Sequence, residues 1–312
     1  MCSQKFIFFK TETMSQLSLI IKNEYLTDIK SKSFWIATFV FPLVMVAFGA
    51  FIGFLAGDSE SLTKTANFAA PEPDEMTPAK AMGMMLGMLL TLFIMMYGAQ
   101  IFNKVKTEKC NRIVEILATC VEGRTMLMAK IISVGLIGLT QLMLWFLLTG
   151  VIAAGILIVS MPDISFGFLA NPIFWRALVW SILFFIGGYI FYGSMFAAVG
   201  AMTDKNNENQ EYMSILTFLL LGAFYIGEYA VDNGEGVFAT VCMFLPFTSP
   251  TVGTVNAVGE SSPLWMSLLS LAVLYGSALL SIAFAGKIYT SSLLLKGKKF
   301  SPKDIMTFLK SK

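Results

Sequence analysis

Seven long stretches of this chain carry no charged side chain. They run Phe34–Gly57, Ala81–Asn103, Ile131–Pro162, Ala177–Thr203, Tyr212–Gly227, Val237–Gly259 and Ser261–Gly286. About 20 mostly apolar residues in helical form cross the hydrocarbon of a bilayer. A soluble core has no room for so many uninterrupted apolar runs, and in lipid only helices or a closed barrel satisfy their own backbone. Composition agrees. The 312 residues are 56% hydrophobic and 13% charged, against about 45–50% and about 25% in ordinary soluble domains. The pattern predicts an all-α polytopic membrane protein.

The same composition narrows the chemistry. There is no histidine, so the commonest general base and metal ligand is missing. Cys2, Cys110, Cys120 and Cys242 stand without CxxC spacing, which indicates neither a zinc site nor a disulfide framework. No HExxH and no intramembrane Asp pair occur. A membrane-embedded hydrolase is therefore disfavoured, and neither a metal nor a catalytic residue is assigned. The net charge of +2 suggests no nucleic-acid partner.

Charge placement sets the topology, because Lys and Arg concentrate in short cytoplasmic loops. Residues 1–32 carry five Lys, 104–130 six Lys or Arg, and 287–312 seven Lys against Asp304 alone. Residues 57–80 hold two Lys and five acids, and 228–260 hold four acids and no base. Both termini then face the cytoplasm, which requires an even number of crossings. Val237–Gly259 is the weakest span. Pro246 and Pro250, with Ser249 between them, break any single helix there. It is expected to be a re-entrant helical hairpin on the outer face, its freed backbone groups sheltered by protein.

Six transmembrane helices remain, at about 34–56, 81–103, 131–158, 177–203, 212–230 and 263–286, with the re-entrant segment at 237–259. They form a domain over 34–286, between a cytoplasmic tail with an interfacial helix at 1–33 and a basic cytoplasmic tail at 287–312. On this topology the inside carries 19 Lys or Arg and 10 acids, and the outside three and 10. The first apolar run begins only at residue 34, behind a polar segment, which predicts an uncleaved first span. The expected location is the inner (plasma) membrane.

In residues 15–33, Leu17, Ile20, Ile21, Tyr25 and Ile29 fall near one helical face, with Lys22, Asn23, Lys30 and Lys32 elsewhere. That is an interfacial amphipathic helix leading into the first span. The cytoplasmic loop 104–130 places Glu108 and Arg112 at i,i+4 and Arg112 and Glu115 at i,i+3. Ile113, Ile116, Leu117 and Val121 supply an apolar face, and Gly123 ends the segment. This pattern fits a helix that docks a partner and equally one packed on its own bundle. Ser301-Pro302-Lys303-Asp304 resembles a helix start. Lys296, Lys298 and Lys299 suit anionic headgroups. Gly49, Gly53 and Gly57, and Gly83 and Gly87, recur at spacing four, which lets helices approach closely, either across a dimer seam or within the chain. Gln100, Asn103 and Gln141 fit interhelical hydrogen bonds or a cavity lining.

Three stretches together resemble the type-2 ATP-binding-cassette (ABC) permeases, in the sodium-efflux, NatB-like branch. KTEKCNRIVEIL followed by AKII, LPFTSPTVGTVNAVGE, and IYTSSLLLKGKKFSPKDIMTFLK occur in that family's order. The first is similar to the family's E-K-x-x-R-x-x-E-I-L stretch and later G-K-I, at Glu108, Lys109, Arg112, Glu115, Ile116, Leu117, Lys130 and Ile131. Two departures stand out: only residues 57–80 occupy the place of a large extracellular domain, and Ala129 replaces the usual glycine.

The resemblance implies the permease subunit of an ATP-driven exporter working by alternating access. The residues matching the motif, Glu108 to Leu117, are the expected ATPase-coupling element. No G-x-x-x-x-G-K-[ST] occurs, so ATP and Mg would be bound by a separate ATPase subunit and the chain would carry no cofactor. Six spans are half of a typical permease, which implies a second copy or paralogue, with membrane lipids around it. Sodium, a drug, a peptide or a lipid all fit as substrate. The other reading is a non-transporting membrane anchor or sensory subunit that recruits an ATPase. Glu228 closes a run of 16 uncharged residues, about 24 Å of helix where about 30 Å is needed. It therefore lies near the outer boundary, as a headgroup-level carboxylate or an exit contact.

Overall fold

The computed structural model describes residues 17–32, 34–40, 43, 78–110, 122–160, 172–203, 211–232, 237–259 and 263–294. Among these residues all regular structure is helical. Helix α1 covers 17–29 and α2 covers 34–40. Then come α3 (Pro78–Cys110), α4 (Gly123–Ser160), α5 (Pro172–Met202), α6 (Glu211–Asp232), α7 (Val237–Phe244), α8 (Ser249–Gly259) and α9 (Leu264–Leu294). Pro78 and Pro172 open their helices, where the missing N–H is no loss.

Helices α3, α4, α5, α6 and α9 are each long and apolar enough to cross a membrane. The further span expected over 34–56 lies mostly outside the described residues. Helices α3 and α4 span 33 and 38 residues, more than a bilayer needs. Both run past their uncharged stretches at the same end. Residues 104–110 continue α3 and 123–130 begin α4, so two charged helix ends stand side by side.

Helix α5 is the axis of the bundle and packs on α3, α8 and α9. Its Phe184, Phe185, Tyr189, Tyr192 and Phe196 interleave with Phe93, Ile94, Tyr97, Ile101 and Phe102 of α3. At Gly200 the two backbones meet, since a Cβ there would lie 2.7 Å from the Phe102 carbonyl oxygen. Buried tyrosines need a partner for their hydroxyls. Tyr97 donates to Gln141 at 3.0 Å and Tyr189 to the Ile131 carbonyl at 2.7 Å. Gln141 thus makes an interhelical bond, one of the two roles its position allowed. Helices α6 and α9 are the least enclosed. They turn Phe218, Tyr225, Leu279 and Leu280 outward, as lipid-facing surfaces do.

The double-proline segment is a broken helix. Helices α7 and α8 meet at 116° across residues 245–248. Four carbonyls at the break, those of Cys242, Met243, Leu245 and Phe247, have donors from the chain. Thr248 donates its hydroxyl to the Cys242 carbonyl. Ser270 of α9 donates to Met243 at 2.6 Å, and Tyr192 of α5 to Phe247 at 2.8 Å. The Leu245 carbonyl accepts from the amides of Thr248 and Ser249. Ser249 also shares a hydrogen bond with Ser270 at 2.9 Å. Pro250 enters the first turn of α8 and fits against Gly188, where a Cβ would lie 2.8 Å from its ring. Arg176 donates to the Val258 carbonyl at the far end of α8 at 2.8 Å.

Gly83 and Gly87 serve packing within the chain. Their Cβ positions would lie 3.0 Å from Val255 Cα and 3.1 Å from Thr251 Cγ2, so α3 lies close against α8. Gly49, Gly53 and Gly57 lie outside the described residues.

The close crossing of α3 and α5 gives a direct test. Gly200→Ala should lower stability by about 1–3 kcal/mol, because backbone cannot yield to a new methyl group. Gly222, with nothing within 4 Å of its Cβ position, should accept Ala unchanged or with up to about 1 kcal/mol of gain. Thermal unfolding of both variants in detergent distinguishes these outcomes.

Candidate functional site

The charged ends of α3 and α4 meet α1 in one cluster. Helix α1 keeps Leu17, Ile20, Ile21, Tyr25 and Ile29 on its half-buried side, the face its periodicity predicts. Two acids share that side. Glu24 and Asp28 sit at i,i+4 among the aliphatics, turned toward the bundle.

Lys130 of α4 is 2% exposed. Its ammonium donates to Glu24 Oε1 at 2.9 Å and to Glu108 of α3. Ser133, one turn further along α4, donates to the other oxygen of Glu24 at 2.7 Å. Lys104 of α3 pairs with Asp28 and lies 3.8 Å from Glu24. Beyond the cluster, Tyr25 shares a hydrogen bond with Thr140 at 2.8 Å. Trp145 donates to the Thr38 carbonyl at 3.1 Å. Residues 24 to 38 are thus tied along α4. Tyr289 of α9 is fully buried close to Glu24 and Glu108. A buried ammonium is tolerated only when paired and hydrogen-bonded, and two carboxylates meet that need here.

Glu108 and Lys130 stand at the two ends of the segment read as the coupling loop. Their ion pair therefore closes its base. Residues 111–121 of that segment, with most of its expected amphipathic helix, lie outside the described residues. Its first seven residues belong to α3, and Gly123 begins α4 rather than ending what precedes it. Glycine is needed at that position because a Cβ would lie 2.7 Å from Thr290 Oγ1 of α9. Glu108 pairs with Lys130 of α4. Lys109 is half-buried beside it. Arg112, Glu115, Ile116 and Leu117 lie outside the described residues.

The other predicted residues fall elsewhere. Pro246, Ser249 and Pro250 build the α7–α8 break. Glu228 is inside α6, which runs on to Asp232, and is half-buried. Its neighbour Gly227 faces α8, where a Cβ would lie 3.1 Å from Val252 Cγ2. Among the described residues no group of His, Cys, Asp or Glu is placed to hold a metal. Sequence reasoning passed over Glu24, Asp28, Lys104 and Ser133, and gave Lys130 only as a motif match. A signal was present: two acids at i,i+4 on the apolar side of a helix whose other face is basic.

Comparison with known proteins places this geometry in context. The model of the ABC-2 family of transporter proteins matches residues 60–287. The uncharacterised protein YhaP of Bacillus subtilis is 24% identical over 240 residues, covering 74% of this chain and 56% of that protein. The uncharacterised protein MJ1024 of Methanocaldococcus jannaschii is 22% identical over 221 residues, covering 71% and 52% respectively. The chain spans about half the length of these curated relatives. No solved structure matches.

The two lysines should differ sharply in weight. Lys130→Met removes the buried ammonium that Glu24 and Glu108 share, leaving Glu24 only the more distant Lys104, and should cost about 3 kcal/mol. Lys104 and Asp28 are 24% and 29% exposed, so Lys104→Met should cost about 1 kcal/mol or less. Thermal unfolding of each variant in detergent, in parallel with the native chain, measures the difference.

Proposed function

The chain belongs to the ABC-2 family of transporter proteins, and on that premise we propose that it is the membrane-spanning permease subunit of an ATP-driven exporter. The observation that carries this reading is the family match over residues 60–287, which takes in α3 to α8 and most of α9, together with the loop base stapled by Glu108 and Lys130. In this reading the chain crosses the inner membrane six times, the first crossing over about 34–56, with both termini in the cytoplasm. The α7–α8 pair enters and leaves from the outer face. A separate ABC ATPase subunit binds ATP and Mg, and a second copy or paralogue completes the pathway.

The mechanism follows from how the helices are tied. Closure of the ATPase subunits displaces the loop between α3 and α4. Because Glu108 and Lys130 close its base, the two helix ends move together rather than splaying. Glu24 and Ser133 pass the same displacement to α1, and from there to the start of the first span. Helix α3 lies close against α8 through Gly83 and Gly87, so movement reaches the broken helix on the opposite side. The bundle then changes the side from which the solute is accessible. A sodium ion, a drug, a peptide or a lipid is each compatible with this scheme as the solute.

The test is to find whether an ABC ATPase is encoded beside this chain and to reconstitute the two together. The complex should hydrolyse ATP faster in proteoliposomes when its solute is present, and move that solute outward. ATPase recruitment without stimulation by any solute would instead fit a non-transporting anchor. Charge reversal at Arg112 or at Glu115 should lower the stimulated rate while leaving the permease folded; normal coupling in the double Ala variant would remove these residues from the coupling element. Glu228→Gln should reduce transport if that carboxylate touches the solute at the exit, and unchanged transport would discard that role.

A further inference from the structure

By sequence, residues 22–32 are nearly balanced, with Lys22, Lys30 and Lys32 against Glu24 and Asp28. In the folded chain they are not. Both acids point inward and are taken up by Lys130, Ser133 and Lys104. The three lysines are exposed, and none of the exposed residues of α1 is acidic. The geometry points to this outward face as a docking surface for anionic phospholipid headgroups.

Three features favour a lipid surface as the occupant. The first is charge: three lysines without an intervening acid complement an anionic surface, and each basic group near such a surface adds to its attraction. The second is the apolar component of the same face. Leu19 is 65% exposed and Leu26 41%, between and beside the lysines, as suits a helix lying at the headgroup level. The third is continuity with hydrocarbon. Ser31 caps α2 through the Phe34 amide at 3.2 Å. Directly beyond Lys32 the exposed residues become Trp35, Ile36, Phe39 and Val40. Basic residues give way to outward aromatic and aliphatic ones within three positions, which is the order met on passing from headgroups into acyl chains. The ion-pair cluster thus has a second consequence besides tying α1 down. It removes the acids that would otherwise repel an anionic membrane.

The experiment measures lipid preference with the full chain in bilayers, using spin-labelled phosphatidylglycerol and phosphatidylcholine. The native chain should associate with the phosphatidylglycerol probe several-fold more than with the phosphatidylcholine probe, and raised salt should weaken the preference. The K22Q/K30Q/K32Q variant should fall toward parity, the corresponding triple Arg variant should retain the preference, and both should melt as the native chain does in phosphatidylcholine. A K22Q/K30Q/K32Q variant with undiminished preference overturns the proposal. So does a preference that falls only on replacing Lys296, Lys298 and Lys299. Competition by soluble glycerol phosphate would show a site for the free phosphate group and not for a membrane surface. Loss of ATPase capture with lipid preference intact would assign the face to a protein partner and also overturn it.

Discussion

Inside a bilayer there is no water to complete an unfinished hydrogen bond or to screen a charge. This chain meets that constraint with its own side chains at two places. Where α7 gives way to α8, the carbonyls of Cys242, Met243 and Phe247 are taken by Thr248, Ser270 and Tyr192, and that of Leu245 by the amides of Thr248 and Ser249. Where charge enters the packed end of the bundle, Lys130 lies between two carboxylates. In both places a group that would be prohibitively costly alone becomes a fixed joint between elements distant in sequence. The long apolar helices supply the mass of the fold. These polar joints decide how the helices stand relative to one another.

Apolar packing in lipid discriminates weakly between alternative arrangements, because a leucine against lipid and a leucine against another helix differ little. Close backbone approach and polar pairing discriminate better. Gly200 against Phe102 and Gly188 against Pro250 set distances that larger residues would not permit. Glu24, Glu108 and Lys130 set the position of α1 against α3 and α4, since the buried ammonium of Lys130 joins a carboxylate from each of the other two helices. In the proposed mechanism a moving part that transmits displacement benefits from such ties. The loop between α3 and α4 is closed at its base by one of them.

Much of this was legible in the chain before its structure. The uncharged runs predicted the crossing helices, because period and length are sufficient to recognise an apolar helix of about 20 residues. Pro246 and Pro250 predicted the break at 245–248, because a proline in a helix interior removes a hydrogen bond and introduces a clash. The apolar face of residues 17–29 emerged from its spacing. The extent of the helices past their apolar runs was not legible: charge was read as a boundary, yet α3 continues through Lys104 and Glu108 because Asp28 and Lys130 partner them. Gly123 likewise suggested an ending, while its place against Thr290 makes it a beginning.

The sequence by itself determined the helical membrane class and the site of the broken helix, since each depends on local composition and spacing. Only the tertiary structure decided which charges meet. Glu24 and Lys130 are 106 residues apart, and no local period relates an acid on one helix to a base on another. Their pairing follows from how α1 lies along α4, which depends on the simultaneous fit of three helices. That same fit turned an almost balanced helix into one with acids inside and lysines outside.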